Sequence, residues 1–147
     1  MDKKDWVLLE ALQQDARLPF AELARRAGLS PPSAAERVRR LQDKGVITGY
    51  HAEVDPAKLG RPMKVFIRLS VLNKDYPRFR RLLAGVDEIS ECHHVSGEEA
   101  MVLRAEVASV KDLEELLRQL SAFGQTTTSL ILSTFLNRRV WTTGTRP

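Results

Sequence analysis

One cysteine, Cys92, stands in 147 residues. A disulfide needs two, so no internal cross-link framework exists, and the chain is expected in a reducing cytoplasm. No stretch approaches the roughly 18 uninterrupted apolar residues that a membrane span requires. The opening residues, MDKKDW, carry charge with no apolar signal core behind them, so secretion is not expected. There is no phosphate-cradling loop and no nucleophile–base–acid constellation. An enzyme would need side chains in named roles, and none can be named. Cys92-His93-His94 places only Cys92 and His94 on one strand face, whereas a structural zinc takes four ligands. No metal or other cofactor is expected.

What is present has the balance of an ordinary globular chain, 43% apolar and 29% charged. The net charge of +4 is mild, so its distribution carries more information than its size. Within residues 25–44 six cations (Arg25, Arg26, Arg37, Arg39, Arg40, Lys44) face only two acids, Glu36 and Asp43. Such a concentration suits a surface that meets phosphates.

Periodicity then divides the chain. Residues 4–14, KDWVLLEALQQ, read as an amphipathic helix with Leu8, Leu9 and Leu12 on one side. FAELARRA, residues 20–27, is a second, ended by Gly28. Ser30 is a good N-cap and Pro31 suits the first helical position. Ala34, Val38 and Leu41 then form one narrow inward stripe, and Gly45 stops this third helix after Lys44. Two helices across the turn Gly28-Leu29-Ser30 have helix-turn-helix spacing, with the second as the reading helix. Its candidate DNA contacts are Ser30, Pro32, Ser33, Glu36, Arg37, Arg39, Arg40 and Lys44, facing double-stranded DNA. VITGYHAEVD follows with Tyr50, Ala52 and Val54 alternating, which suggests a β wing. DPAKLGRP, residues 55–62, reads as a linker.

The rest alternates strand and helix. Met63, Val65, Ile67, Leu69 and Val71 mark a strand. YPRFRRLLAG is a helix with Tyr76, Phe79, Leu82 and Leu83 inward. EISECHHVSG and EAMVLRAEVA are two strands around the turn Ser96-Gly97-Glu98-Glu99. Ser109 caps a helix with Val110, Leu113, Leu117 and Leu120 inward and Gly124 at its end. QTTTSLILSTFL is the last strand. The order β-α-β-β-α-β is a ferredoxin-like split unit. Right-handed crossovers put both helices on one face, and the other face is expected to pack on a second copy. The expected architecture is α+β: a winged helix-turn-helix domain over residues 1–54, a linker over 55–62, a ferredoxin-like βαββαβ domain for ligand sensing and oligomerisation over 63–136, and a tail over 137–147. A two-fold dimer would present two reading helices to a pseudo-palindromic site.

With these elements in this order the chain resembles the Lrp/AsnC (feast/famine) transcriptional regulators over about residues 2–139. DARLPFAELARRAGLSPPSAAERVRRLQDKGVITGYHAEVDPAKLG is similar to the family's winged-helix domain. ECHHVSGEEAMVL and FGQTTTSLILS resemble two signatures of its amino-acid-sensing domain. The resemblance implies a sequence-specific DNA-binding regulator that answers to an amino acid or related metabolite. It also implies dimers that assemble further, for example into an octamer. The effector would sit between neighbouring sensing domains, on His94, Ser96, Gly97, Glu98 and Glu99 of the turn, with Val95, and on Gln125, Thr126, Thr127 and Thr128 of the last strand. Ala100-Met101 stands where many members have Asp-Tyr or Asp-Phe. The alternatives are a ligand-binding module that acts through a protein partner and a regulator without amino-acid binding.

Overall fold

The structure is a computed structural model that describes residues 1–98 and 100–143. The chain forms two compact units, Met1–Glu53 joined by the chain from Leu136 onward, and Val54–Phe135.

The first unit is built from α1 (Lys3–Gln14), α2 (Phe20–Ala27) and α3 (Pro31–Asp43). Each begins and ends for a local reason. Asp2 caps α1 through a reciprocal box: the Asp5 N–H donates to the Asp2 carboxylate at 3.0 Å, and the Asp2 N–H donates to the Asp5 carboxylate at 2.9 Å. Gly28 ends α2 with φ at 61°, a left-handed conformation costly for other L-residues. Leu8, Leu12, Leu23, Ala24, Ala34 and Val38 meet in one core. Fully burying each large aliphatic side chain here contributes roughly 1.5–3 kcal/mol. Ala34 is wholly buried, and its small side chain keeps α3 close to α2.

One expectation changes in this unit. The β wing over residues 46–54 does not form, and α3 is followed by no strand before Met63 among the described residues. The Val46 and Ile47 N–H groups both return to the Leu41 carbonyl, at 2.9 and 3.1 Å, and close the end of α3. The rest of the segment runs on to Asp55, and among the described residues no strand pairs with it. The described tail residues bond to this unit. Gln13 of α1 donates through Nε2 to the Trp141 carbonyl at 2.9 Å and accepts from the Trp141 N–H at 2.8 Å. Asn137 donates to the Glu53 carboxylate at 2.6 Å.

The linker is more ordered than its composition suggests. Asp55 caps a single 3₁₀ turn, Pro56–Leu59, and opens the second unit. There follow β1 (Met63–Leu69), α4 (Tyr76–Gly85), β2 (Ile89–His94), β3 (Met101–Val107), α5 (Val110–Leu120) and β4 (Thr126–Leu130). The strand order is β2-β3-β1-β4 and every pair is antiparallel, as the ferredoxin-like reading expects. Val65, Ile67 and Leu69 of β1 pair with Ala105, Leu103 and Met101 of β3. These side chains, with Phe79, Leu116, Leu120 and Phe123, make the buried core. Phe79 and Phe123 meet edge to face at 5.3 Å.

Three smaller corrections follow from packing. Leu116 rather than Val110 belongs to the buried stripe of α5, and Val110 is 60% exposed. The stripe centres on Leu113, Leu116, Leu117 and Leu120, and Val110 lies at its rim. The helix ends at Leu120 with Ser121 as its cap, not at Gly124. The sheet face away from the helices is more charged than expected. It carries the row Glu91, Arg104, Phe66, Ser129, and Arg104 pairs with Glu91 at 3.2 Å and with the nearly buried Glu106 at 2.9 Å.

Candidate nucleic-acid interface and effector site

The turn between α2 and α3 is held from both sides. The Leu29 N–H returns to the Ala24 carbonyl at 2.9 Å. Ser30 caps α3, its Oγ accepting from the Ser33 N–H at 3.4 Å and lying 2.8 Å from the Ser33 Oγ. Pro31 and Pro32 occupy the first helical positions, where their missing N–H groups leave no bond unmade. The first turn of α3 is thereby fixed in place.

The cations of residues 25–44 then separate into two sets. Arg25 and Arg26 both bind Glu22, each at 2.7 Å, and their hydrogen bonds draw the Glu22 carboxyl down to about 2. Arg37 binds Asp2 at 2.6 Å and Asp5 at 2.8 Å. Its guanidinium holds Asp2 below the usual carboxylate range, helped by the Asp5 N–H. Burial pulls Asp5 upward, but the Asp2 N–H and Arg37 outweigh it and its pKa also falls. Arg37 therefore faces α1, although the sequence suggested an outward contact. Arg39 makes only an exposed pair with Glu36 at 3.2 Å. Arg40 and Lys44 are exposed and form no ion pair with any described carboxylate. Pro32, Ser33, Glu36, Arg39, Arg40 and Lys44 are all exposed, on the flanks and face of α3 that its core stripe leaves open.

One contact escaped sequence reasoning. Lys4 of α1 donates to the Gly28 carbonyl at 3.0 Å. The start of the turn, through Gly28, and the middle of α3, through Arg37, are thus both tied to the first residues of the chain. Asp2, Lys4 and Asp5 carry a charge pattern that could have drawn attention, but not their partners.

In the second unit the turn after β2 and the start of β4 converge on one residue, Ser70, at the end of β1. The Ser70 hydroxyl donates to the Glu98 carbonyl. Gly124 sits against the Ser70 carbonyl, which a Cβ at that position would approach to 2.3 Å. The turn itself is closed by the Val95 N–H donating to the Ala100 carbonyl at 2.7 Å, and Gly97 has φ at 119°. His94, Ser96, Gly97, Glu98, Gln125, Thr127 and Thr128 are exposed, with Thr126 half-buried. Thr126 and Thr128 pair with Leu69 and Ile67 and so share the helix-facing side of the sheet, while Thr127 pairs with Arg68 on the other. Glu99 lies outside the described residues. Backbone N–H groups and hydroxyls supply donors for a carboxylate, and Glu98 supplies an acceptor for an ammonium. Ser70 was not singled out in the sequence and Gly124 was read only as a helix end, because their meeting depends on strands that are distant in the chain.

Comparison with known proteins agrees with both halves. The AsnC-type helix-turn-helix domain matches residues 1–42, and the Lrp/AsnC ligand binding domain matches residues 64–141. The HTH-type transcriptional regulator LrpC of Bacillus subtilis is 36% identical over 133 residues, covering 90% of this chain and 92% of LrpC. Its solved structure superposes with a TM-score of 0.87 over 92% of this chain and 96% of that one. The transcriptional regulator LrpA of Mycobacterium tuberculosis is 37% identical, with 95% of each chain covered. The feast or famine regulatory protein of M. tuberculosis, solved with L-methionine, is 35% identical with a TM-score of 0.83, over 95% of this chain and 98% of that one. With a capped helix-turn-helix ahead of a β2-β3-β1-β4 sheet, the chain belongs to the Lrp/AsnC family of transcriptional regulators.

Proposed function

We propose that this regulator places α3 in the major groove of a pseudo-palindromic DNA site and changes its affinity when an amino acid binds the second unit. The observation that carries the first half is the division of cations: Arg40 and Lys44 are free on the open side of a firmly capped helix, with Arg39 only loosely engaged. Free cations along the exposed last turns of α3 meet phosphates, and Arg39 or Arg40 can reach guanine edges. Ser30, Pro32, Ser33 and Glu36 set the approach of the first turn. Arg37 acts by holding α3 on α1 rather than by touching DNA.

The effector half rests on the convergence at Ser70 of the Ser96–Glu98 turn and Gly124, which stands just ahead of the threonines of β4. His94, Gly97, Gln125 and Thr126 complete the surface, and Glu99 belongs to the same sequence run. This surface is open, so a neighbouring copy would close it. Methionine is the first effector to try, since a relative was solved with it. Assembly into a homodimer, and further into a ring such as an octamer, would cover Leu132 and Phe135, which are 88% and 100% exposed. The protein acts by binding rather than by catalysis, in the cytoplasm. Among the described residues no helix is long and apolar enough to cross a membrane.

The test is a fluorescence-anisotropy titration at fixed salt, using the duplex upstream of the protein's own gene against a scrambled duplex, with and without methionine and then the other common amino acids. Upstream DNA is expected to bind at least tenfold more tightly, with a shift on adding effector. Equal affinity for both duplexes would contradict recognition of that site, and indifference to every amino acid would contradict the effector.

A further inference from the structure

A crevice of about 200 Å³ lies between α4 and the helix-facing side of β2. Its inner walls are Phe79, Leu83, Cys92 and Met101, and its exposed end is framed by Tyr76, Arg80 and His94. The sheet register explains the arrangement. Cys92 and His94 pair with Leu103 and Met101, which puts them on the core side of an edge strand. Of the residues assigned to the effector surface, only His94 borders this space.

The lining is selective. Arg80 has no ion-pair partner among the described residues. The Tyr76 ring stands edge-on to His94 at 5.7 Å, with its hydroxyl 3.4 Å from the His94 Nε2. A guanidinium, a phenol and an imidazole together suit one carboxylate. Among the described residues no carboxylate side chain lines the crevice, so an ammonium group entering it would lose water without gaining a partner there. The inner walls are apolar. Burial pushes the Cys92 thiol up, so it stays protonated beside the flexible Met101. At the ~30 Å³ that one liquid water occupies, the space holds on the order of seven heavy atoms.

We propose that this crevice binds a small aliphatic monocarboxylate that carries no ammonium group. The carboxylate sits at Arg80 and Tyr76, and the tail lies on Phe79, Leu83 and Met101. Short branched fatty acids and 2-oxo acids share this chemistry. The site belongs to the second unit alone, so it stands or falls separately from DNA binding.

Cys92 is the only cysteine in the chain, which makes it a built-in reporter. The full chain is treated with N-ethylmaleimide, and the modification rate is followed by mass spectrometry in the presence of 3-methylbutanoate, 4-methyl-2-oxopentanoate or leucine. At least one of the two acids is expected to slow modification fivefold or more at saturation, and the better protector identifies the source. Leucine at the same concentration is expected to leave the rate unchanged. Arg80→Gln should raise the half-protecting concentration about tenfold, the loss of one charge-assisted bond, and Arg80→Lys should recover part of it. Arg80 is exposed, so the variants are expected to fold, and unchanged DNA affinity serves as the control. An unchanged rate with both acids, equal protection by leucine, or full protection in Arg80→Gln would overturn the proposal.

Discussion

Arg37 of α3 donates to the Asp5 carboxylate of α1 at 2.8 Å, and to Asp2 at 2.6 Å. The same two carboxylates cap α1. One guanidinium therefore joins the start of the first helix to the middle of the helix assigned to DNA. Arg37→Ala and Asp5→Asn are each expected to lower the melting temperature of the helical unit. Their effects should be strongly non-additive, because each removes the same bond. Strict additivity in a double-mutant cycle followed by thermal unfolding would show that the pair contributes nothing. Asp5→Asn should also weaken DNA binding without removing any cation.

Acid should act on the same contacts. Asp2, Asp5 and Glu22 all have folded pKa values below their ordinary ones. A depressed carboxyl contributes stability above its unfolded value, near 4, and loses it as pH falls through the folded value. For Glu22 that loss ends at about 2. The helical circular dichroism signal is expected to become easier to melt between about pH 4 and pH 2. Arg37→Gln should flatten the part of this slope that comes from Asp2 and Asp5. An unchanged slope in that variant would contradict the assignment.

Two glycines of the effector region should respond differently. A Cβ at Gly124 would stand 2.3 Å from the Ser70 carbonyl, a backbone atom that cannot swing away, whereas a Cβ at Gly97 meets open space. Gly97→Ala should cost on the order of 1 kcal/mol through its positive φ alone. Gly124→Ala should cost more, by roughly 1–3 kcal/mol of overpacking, and should impair the effector response by displacing Thr126. Equal stability of the two variants in urea would contradict the close approach at Ser70.

The tail offers an optical test. Gln13→Ala removes both bonds to Trp141. Cleavage by trypsin after Arg138 and Arg139 is expected to accelerate severalfold, with a change in tryptophan emission. Unaltered cleavage would mean that the tail does not depend on Gln13.

Most of the fold was legible because local rules and tertiary packing agree. FAELARRA, Gly28, Ser30 and Pro31 fixed the helix-turn-helix to the residue, and YPRFRRLLAG gave α4 with the same bounds. Alternation in MKVFIRL and MVLRAEV marked the two central strands. Errors arose where a pattern needed a partner. Tyr50, Ala52 and Val54 alternate, but among the described residues no second strand accompanies them. Val110 has the spacing of a core residue but lies at the rim of its stripe. The site was legible by residue type and not by pairing. Six cations could be counted, and Glu22 stands three and four residues before Arg25 and Arg26 on one helix, but that Arg37 answers Asp2 and Asp5 depends on how α1 and α3 cross. Ser70 and Gly124 carry no local signal of their meeting.

The central claim is that α3 meets DNA through Arg40 and Lys44, whereas Arg25 is occupied with Glu22. The most direct measurement is the salt dependence of affinity for the upstream duplex, for the parent, Arg40→Ala, Lys44→Ala and Arg25→Ala. Arg40→Ala and Lys44→Ala are each expected to weaken binding and to reduce the slope of log K against log salt by about 1, because one phosphate is no longer neutralised by the protein. Arg25→Ala is expected to leave that slope nearly unchanged. Parent-like slopes for Arg40→Ala and Lys44→Ala, with a reduced slope for Arg25→Ala, would contradict the account and move the DNA interface to α2.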